Sequence, residues 1–226
     1  MNQVVRLLFF ALLVKPFVLI VLGINIKRPE WLPRRGPAIL VANHNSHLDT
    51  VVLISLFPLR MLPAVRPVAA ADYFLRNPLL AWFALRVIGI IPLPRTGRTP
   101  THEHPLAPCV QALERGDILV LFPEGTRGEP EQRARFKSGV AHLAKCRPDV
   151  PAVPVFMRGL GKALPRGEAL FVPWICDIGV GEPVVWQADK EAYMRTLQER
   201  FDGLANEMAA LHHDLYDEEE YHDASM

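Results

Sequence analysis

"AILVANHNSHLDTVVLISLF", Ala38 to Phe57, is the stretch that decides the fold. It opens on an apolar run ending at Asn43, the pattern of a strand buried on both faces. It closes on Thr50–Phe57, which reads as an apolar helix. A fully buried strand running into a helix is half of a βα unit and calls for a sheet with helices packed on it. Between the two elements His44, His47 and Asp49 fall within six residues. Two imidazoles and a carboxylate at the carboxyl end of a buried strand stand where open α/β sheets hold ligands.

The same alternation extends in both directions. Arg66–Phe74 predicts a strand entering a helix that runs on through Leu75–Val87, and Ile88–Pro94 predicts a strand ending in prolines. A helix over Leu106–Arg115 stops at Gly116, and Asp117–Pro123 is another buried strand. Lys137–Cys146 reads as a short helix, and Val150–Met157 as a strand whose prolines favour an edge or a strand start. Gly23–Trp31 and Gly181–Trp186 predict a first and a late strand, and Lys190 to about Leu215 a long amphipathic helix. The expected class is α/β, a mixed and mostly parallel sheet flanked by helices. One domain is expected over residues 26–213, after an apolar N-terminal segment, 1–25, and before an acidic tail, 214–226, expected to be frayed.

The charge is near balance, +1 over 226 residues, but unevenly spread. Residues 1–36 carry six basic side chains against one acid, Glu30. The chain is half hydrophobic. Leu7–Ile24 is almost long enough to span a bilayer, but Lys15 and Pro16 interrupt it. It predicts an element that dips into one leaflet at the cytoplasmic face of the membrane, held there by Arg6 and the later cations. The alternative is a helix packed on the domain's own core. Basic residues mixed with aliphatics, without any nucleic-acid motif, argue against a nucleic-acid partner. Cys109, Cys146 and Cys176 are widely spaced and read as reduced core residues.

Ser46 and Asp49 fit a capping box before an apolar run. That accounts for both residues and leaves His44 unexplained. The chain reverses between His44 and Asp49, so their side chains can meet. A carboxylate on one ring nitrogen fixes the tautomer and leaves the other nitrogen as a base. Imidazole, with an ordinary pKa of about 6.5, suits proton abstraction from a hydroxyl near neutral pH. A metal on His44, His47 and Asp49 is the weaker alternative, because no further ligands cluster with them. "FPEGTRG", Phe122–Gly128, also follows a strand. Gly125 permits close approach or a positive φ, Arg127 offers a planar fork for phosphate, and Glu124 can take a hydroxyl or hold Arg127. Arg95 and Arg98 follow a third strand and make a second candidate clamp for the same anion.

Taken in order, "NHNSHLD", "GIIPLPR", "FPEGTR" and "VPAVPVF" resemble the glycerolphosphate acyltransferase superfamily, most of all its bacterial 1-acyl-sn-glycerol-3-phosphate (lysophosphatidic acid) acyltransferases. The resemblance covers about Gly36 to Met157. It implies an acyl-CoA or acyl carrier protein donor, a lysophospholipid acceptor and a membrane surface, with no cofactor or metal. It implies His44 as general base and Asp49 as its partner. It places Arg95, Glu124, Gly125, Thr126 and Arg127 at the acceptor, and Val153, Pro154 and Val155 at the acyl donor or chain. One position departs from the pattern: Ala70 stands about where relatives often carry a phosphate-holding lysine. That leaves two alternatives, compensation by Arg66, Arg95 or Arg98, or a different acceptor head group. The same base acting on water would make a thioester or lipid-ester hydrolase, and a non-catalytic membrane scaffold is the remaining rival.

Overall fold

The computed structural model describes residues 2–44, 46, 48–94, 104–125, 136–160 and 175–223. Seven strands form one sheet: β1 (Gly23–Lys27), β2 (Ala38–Ala42), β3 (Val65–Ala70), β4 (Ile91–Leu93), β5 (Ile118–Leu121), β6 (Ala152–Arg158) and β7 (Ile175–Val180). Their spatial order is β1-β7-β6-β2-β5-β3-β4. Every pairing is parallel except β6 with β7. The expected class, a mixed and mostly parallel sheet flanked by helices, is the one observed.

β2 lies near the middle of the sheet and all five of its residues are buried. Period-two alternation sends Leu40 and Ala42 into one core and Ile39 and Val41 into the other. On the first face lie α1 (Asn2–Phe9), a π-helical turn (Phe10–Val14) and α2 (Lys15–Ile20), then α3 (Leu48–Ser55). Beside them runs α5 (Pro78–Trp82), which continues as a second π-helical turn, Phe83–Ile88, and is preceded by the short α4 (Ala71–Phe74). On the second face pack α6 (Ala107–Glu114), α7 (Gly139–Cys146) and α8 (Lys190–Asp223). The buried stripe of α8 is Tyr193, Leu197, Phe201, Leu204 and Met208, the spacing of a single helical face.

Several expectations are corrected. β6 is central, between β7 and β2, although it carries Pro154. The proline fits because it sits where the β6–β7 ladder ends. Its carbonyl accepts the Gly181 N–H at 2.8 Å, and the donor it lacks falls one position beyond the last registered pair, Val155 with Val180. The late strand is Ile175–Val180, not Gly181–Trp186, where only Val184 bridges to Ala152. Asp177 and Gly179 interrupt the apolar pattern there. Asp177 accepts a hydrogen bond from the Asn25 amide, and a Cβ at Gly179 would stand 2.7 Å from both Leu204 and Met208 of α8. α8 runs to Asp223 rather than ending near Leu215, through the residues assigned to the acidic tail. No Gly or Pro follows Gly203 to stop it.

The N-terminal segment is part of the core. Phe10, Val14 and Leu22 are buried, and Phe9 meets Phe83 edge to face at 5.4 Å. Arg6, expected to hold an anionic surface, is buried and donates to the Val65 carbonyl at 2.7 Å. Lys15 donates to the Ser55 carbonyl at 2.7 Å. Both cations serve as helix-to-domain ties. β1 starts at Gly23, so its first three residues fall inside the segment expected to end at residue 25.

Candidate active site

The parallel strands β2, β5, β6 and β3 end on one edge of the sheet, and His44 stands two residues past the end of β2. Asn43 sets its place. The Asn43 amide donates to the Met157 carbonyl at 2.7 Å and accepts the Met157 N–H at 2.8 Å, so a side chain extends the β2–β6 ladder by one rung. Asn43→Ala leaves both Met157 groups buried without these partners, at about 1–3 kcal/mol each. The expected result in urea unfolding is a loss of roughly 2–6 kcal/mol, and an unchanged midpoint would refute the role.

From there the chain reverses and α3 begins. Asp49 is 1% exposed in its first turn. One oxygen, Oδ2, accepts His44 Nδ1–H at 3.0 Å and the Ser46 backbone N–H at 2.7 Å. The Ser46 hydroxyl in turn accepts the Leu48 N–H at 3.2 Å. The cap and the imidazole orienter are therefore the same atom. Because a carboxylate only accepts, Nδ1 carries the proton and Nε2 keeps its lone pair. Phe122, at the end of β5, stacks on the imidazole with ring centroids 4.2 Å apart. The His44 side chain is 21% exposed, so the ring is partly open to solvent.

Glu124 lies against this pair and is 7% exposed. Burial pushes its carboxyl up to about 7; a backbone hydrogen bond from His44 and the His44 ring act against the rise, and the Asp49 charge adds to it. Among the described residues its Oε2 has no hydrogen-bond partner. A carboxyl raised in the fold costs nothing below its ordinary 4.5 and progressively more as pH rises towards about 7. Glu124→Gln, a neutral isostere, should match wild type at pH 4.5 and exceed it at pH 8 by up to about 3 kcal/mol. Urea midpoints at the two pH values test this, and a difference independent of pH would refute it.

Gly125 has φ +73°, and a Cβ there would overlap the Lys137 ammonium. Lys137 therefore lies across the turn that carries Glu124, fixed by its own N–H donating to the Pro123 carbonyl at 2.9 Å. The structure brings His44, Asp49 and Glu124 together, with Gly125 next to Glu124 in the same turn. Arg95, Thr126 and Arg127, with Arg98 and His47, lie outside the described residues. Val153 and Val155 are fully packed in β6 beside β2 and face the core rather than an open surface. Arg66, suggested as a compensating cation, is near the start of β3, at the opposite edge, and donates to the Gly89 carbonyl at 2.7 Å. Ala70 ends β3 on the His44 edge. Sequence reasoning missed Asn43, Phe122 and Lys137. A polar residue closing an otherwise apolar strand was the one signal available, at Asn43.

The acyltransferase family model matches residues 23–158. The 1-acyl-sn-glycerol-3-phosphate acyltransferase of the Arabidopsis thaliana chloroplast is 32% identical over 146 residues, 64% of this chain and 38% of its own length. Human 1-acyl-sn-glycerol-3-phosphate acyltransferase alpha is 30% identical over 163 residues, 71% of this chain and 54% of its own. The chain thus spans 38% and 54% of the length of these two relatives. The crystal structure of the 1-acyl-sn-glycerophosphate (LPA) acyltransferase PlsC from Thermotoga maritima superposes with a TM-score of 0.68, at 21% identity, over 88% of this chain and 79% of that one, and shares the fold. Through the matched residues 23–158, which hold His44, Asp49, Glu124 and Gly125, the chain belongs to the acyltransferase family.

Proposed function

We propose that the protein transfers a fatty acyl group from a thioester donor, acyl-CoA or acyl carrier protein, to the free hydroxyl of 1-acylglycerol-3-phosphate at the cytoplasmic face of a membrane, giving phosphatidic acid. The observation that carries this reading is the His44–Asp49 pair, 3.0 Å apart through Nδ1, at the edge where the parallel strands end. The names of the relatives supply the acceptor.

In this reading His44 Nε2 takes the proton of the acceptor hydroxyl as its oxygen attacks the thioester carbonyl. Asp49 holds the imidazolium that forms. The tetrahedral intermediate collapses: the new C–O bond stays, the C–S bond breaks, and the imidazolium returns its proton to the departing thiolate. A neutral Glu124 carboxyl, favoured below about 7, donates a hydrogen bond to the acceptor. Arg127, Thr126 and Arg95 bind its phosphate with Lys137, which brings a cation to the Gly125 turn. Val153, Pro154 and Val155, expected at the acyl donor or chain, belong to the part of β6 paired with the His44 strand and serve the site by holding that strand in place.

The test is purified protein with oleoyl-CoA or oleoyl-acyl carrier protein, with and without lysophosphatidic acid. Acceptor-dependent phosphatidic acid supports the reading. Release of free fatty acid at the same rate without acceptor overturns it in favour of a hydrolase. Arg127→Ala is expected to raise the acceptor KM roughly tenfold or more, the loss of one charge-assisted bond at about 1.5–3 kcal/mol. An equal loss with a phosphate-free lysolipid would count against the phosphate assignment.

A further inference from the structure

The layer on the first face of the sheet has an apolar outer surface. On the N-terminal segment Leu8, Leu12, Leu13, Leu19 and Ile20 are exposed, the last two by 82% and 80%. Beside it, Leu79, Trp82 and Leu85 project from α5 and the turn that follows, Leu79 by 79% and Trp82 by 52%. The two elements touch through Phe9 and Phe83, so these side chains belong to one continuous face. Water-facing surfaces of soluble monomers rarely carry such a patch.

Charge says what covers it. Residues 1–29 and 73–102 contain no Asp or Glu, although the chain has 24. Arg76 and Arg86 flank the apolar side chains of α5 and its turn and are exposed. A second copy laid on this face would bring cations to cations. Anionic lipid head groups fit the cations, and acyl chains fit the apolar centre. Arg6 and Lys15 are bonded to the domain's own carbonyls, so the N-terminal segment lies along the domain and not across a bilayer.

Topology joins the face to the site. α4 and α5 follow directly from the end of β3, on the His44 edge. α2 leads into β1 at Gly23, which pairs with Ile175; β7 starts opposite the end of β6, so Ile20 also lies near that edge. We propose that Leu79, Trp82 and Leu85 form a second membrane-inserting element beside the N-terminal segment, so that a whole helical layer seats in one leaflet and the His44 edge meets the lipid surface at its rim. This deepens the membrane-surface part of the proposed function.

The test is flotation of the full chain with phosphatidylcholine vesicles, with and without phosphatidylglycerol. Leu79→Glu/Trp82→Glu/Leu85→Glu should cut vesicle binding by roughly tenfold or more. Arg76→Glu/Arg86→Glu should abolish the preference for phosphatidylglycerol. In a second measurement, brominated phosphatidylcholine should quench a fluorescence component that the volume-keeping Trp82→Phe lacks. Wild-type flotation of the triple variant, or equal quenching of Trp82→Phe, overturns the proposal. A vesicle-free dimer that the triple variant converts to monomer also overturns it and assigns the face to a second copy. Acyl transfer in detergent separates the two readings. Its absence in wild type sinks the enzyme assignment, while flotation alone decides the membrane element.

Discussion

His44→Ala is expected to lower the rate of acyl transfer by roughly 10²–10⁴-fold, the usual worth of a positioned base. The chain should still fold. The His44 side chain is at the rim of the site, and the polar role it fills is confined to Asp49 Oδ2. That oxygen keeps the Ser46 N–H, so α3 retains its start and the stability cost stays near 1 kcal/mol. Initial rates with saturating donor and acceptor, together with a urea curve, make the check. Asp49→Asn is the companion. An amide oxygen can still cap at Ser46 N–H but no longer offers the charge that holds an imidazolium, so kcat should fall with the midpoint little changed. Wild-type turnover in His44→Ala would remove the base assignment outright.

Removal of residues 1–22 is expected to abolish cooperative folding. A peripheral anchor would come away cleanly and leave a soluble enzyme. This segment instead contributes Phe10, Val14 and Leu22 to the core, each worth about 1.5–3 kcal/mol on burial. The sum, roughly 5–9 kcal/mol, is comparable with the whole net stability of a typical domain. The deletion also strips cover from α3, whose first turn carries Asp49. The truncated chain should accumulate as insoluble protein or melt without a transition in calorimetry. Leu12→Glu/Leu13→Glu, which alters only outward side chains of the same segment, should melt as wild type does. A sharp transition near the wild-type temperature in the truncated chain would show the segment to be dispensable.

The strands that build the site were legible because they are apolar on both faces. β2 and β5 read directly from "AILVA" and "ILVL". β7 was not, because its Asp177 and Gly179 answer to partners far along the chain, Asn25 and α8, that no local pattern contains. Pro154 misled for the same reason: its missing donor matters only once the end of the neighbouring ladder is known. His44 and Asp49 were legible through their spacing across a chain reversal. Lys137 was not, since it lies twelve residues beyond Gly125 and reaches it only through the fold. Arg6 looked like a surface cation because charge in a sequence carries no sign of which side of a helix it leaves.

Asp49 Oδ2 holds the first turn of α3 and the imidazole at once, and this gives the site a built-in reporter. When the carboxylate swings away from His44, the Ser46 amide loses its acceptor in the same movement. The exchange of that amide proton with deuterated water therefore measures how often the carboxylate leaves its place in the resting protein. A slowly exchanging Ser46 would mean that the carboxylate which orients His44 is already fixed before substrate arrives, and that the energy of binding need not be spent on placing it.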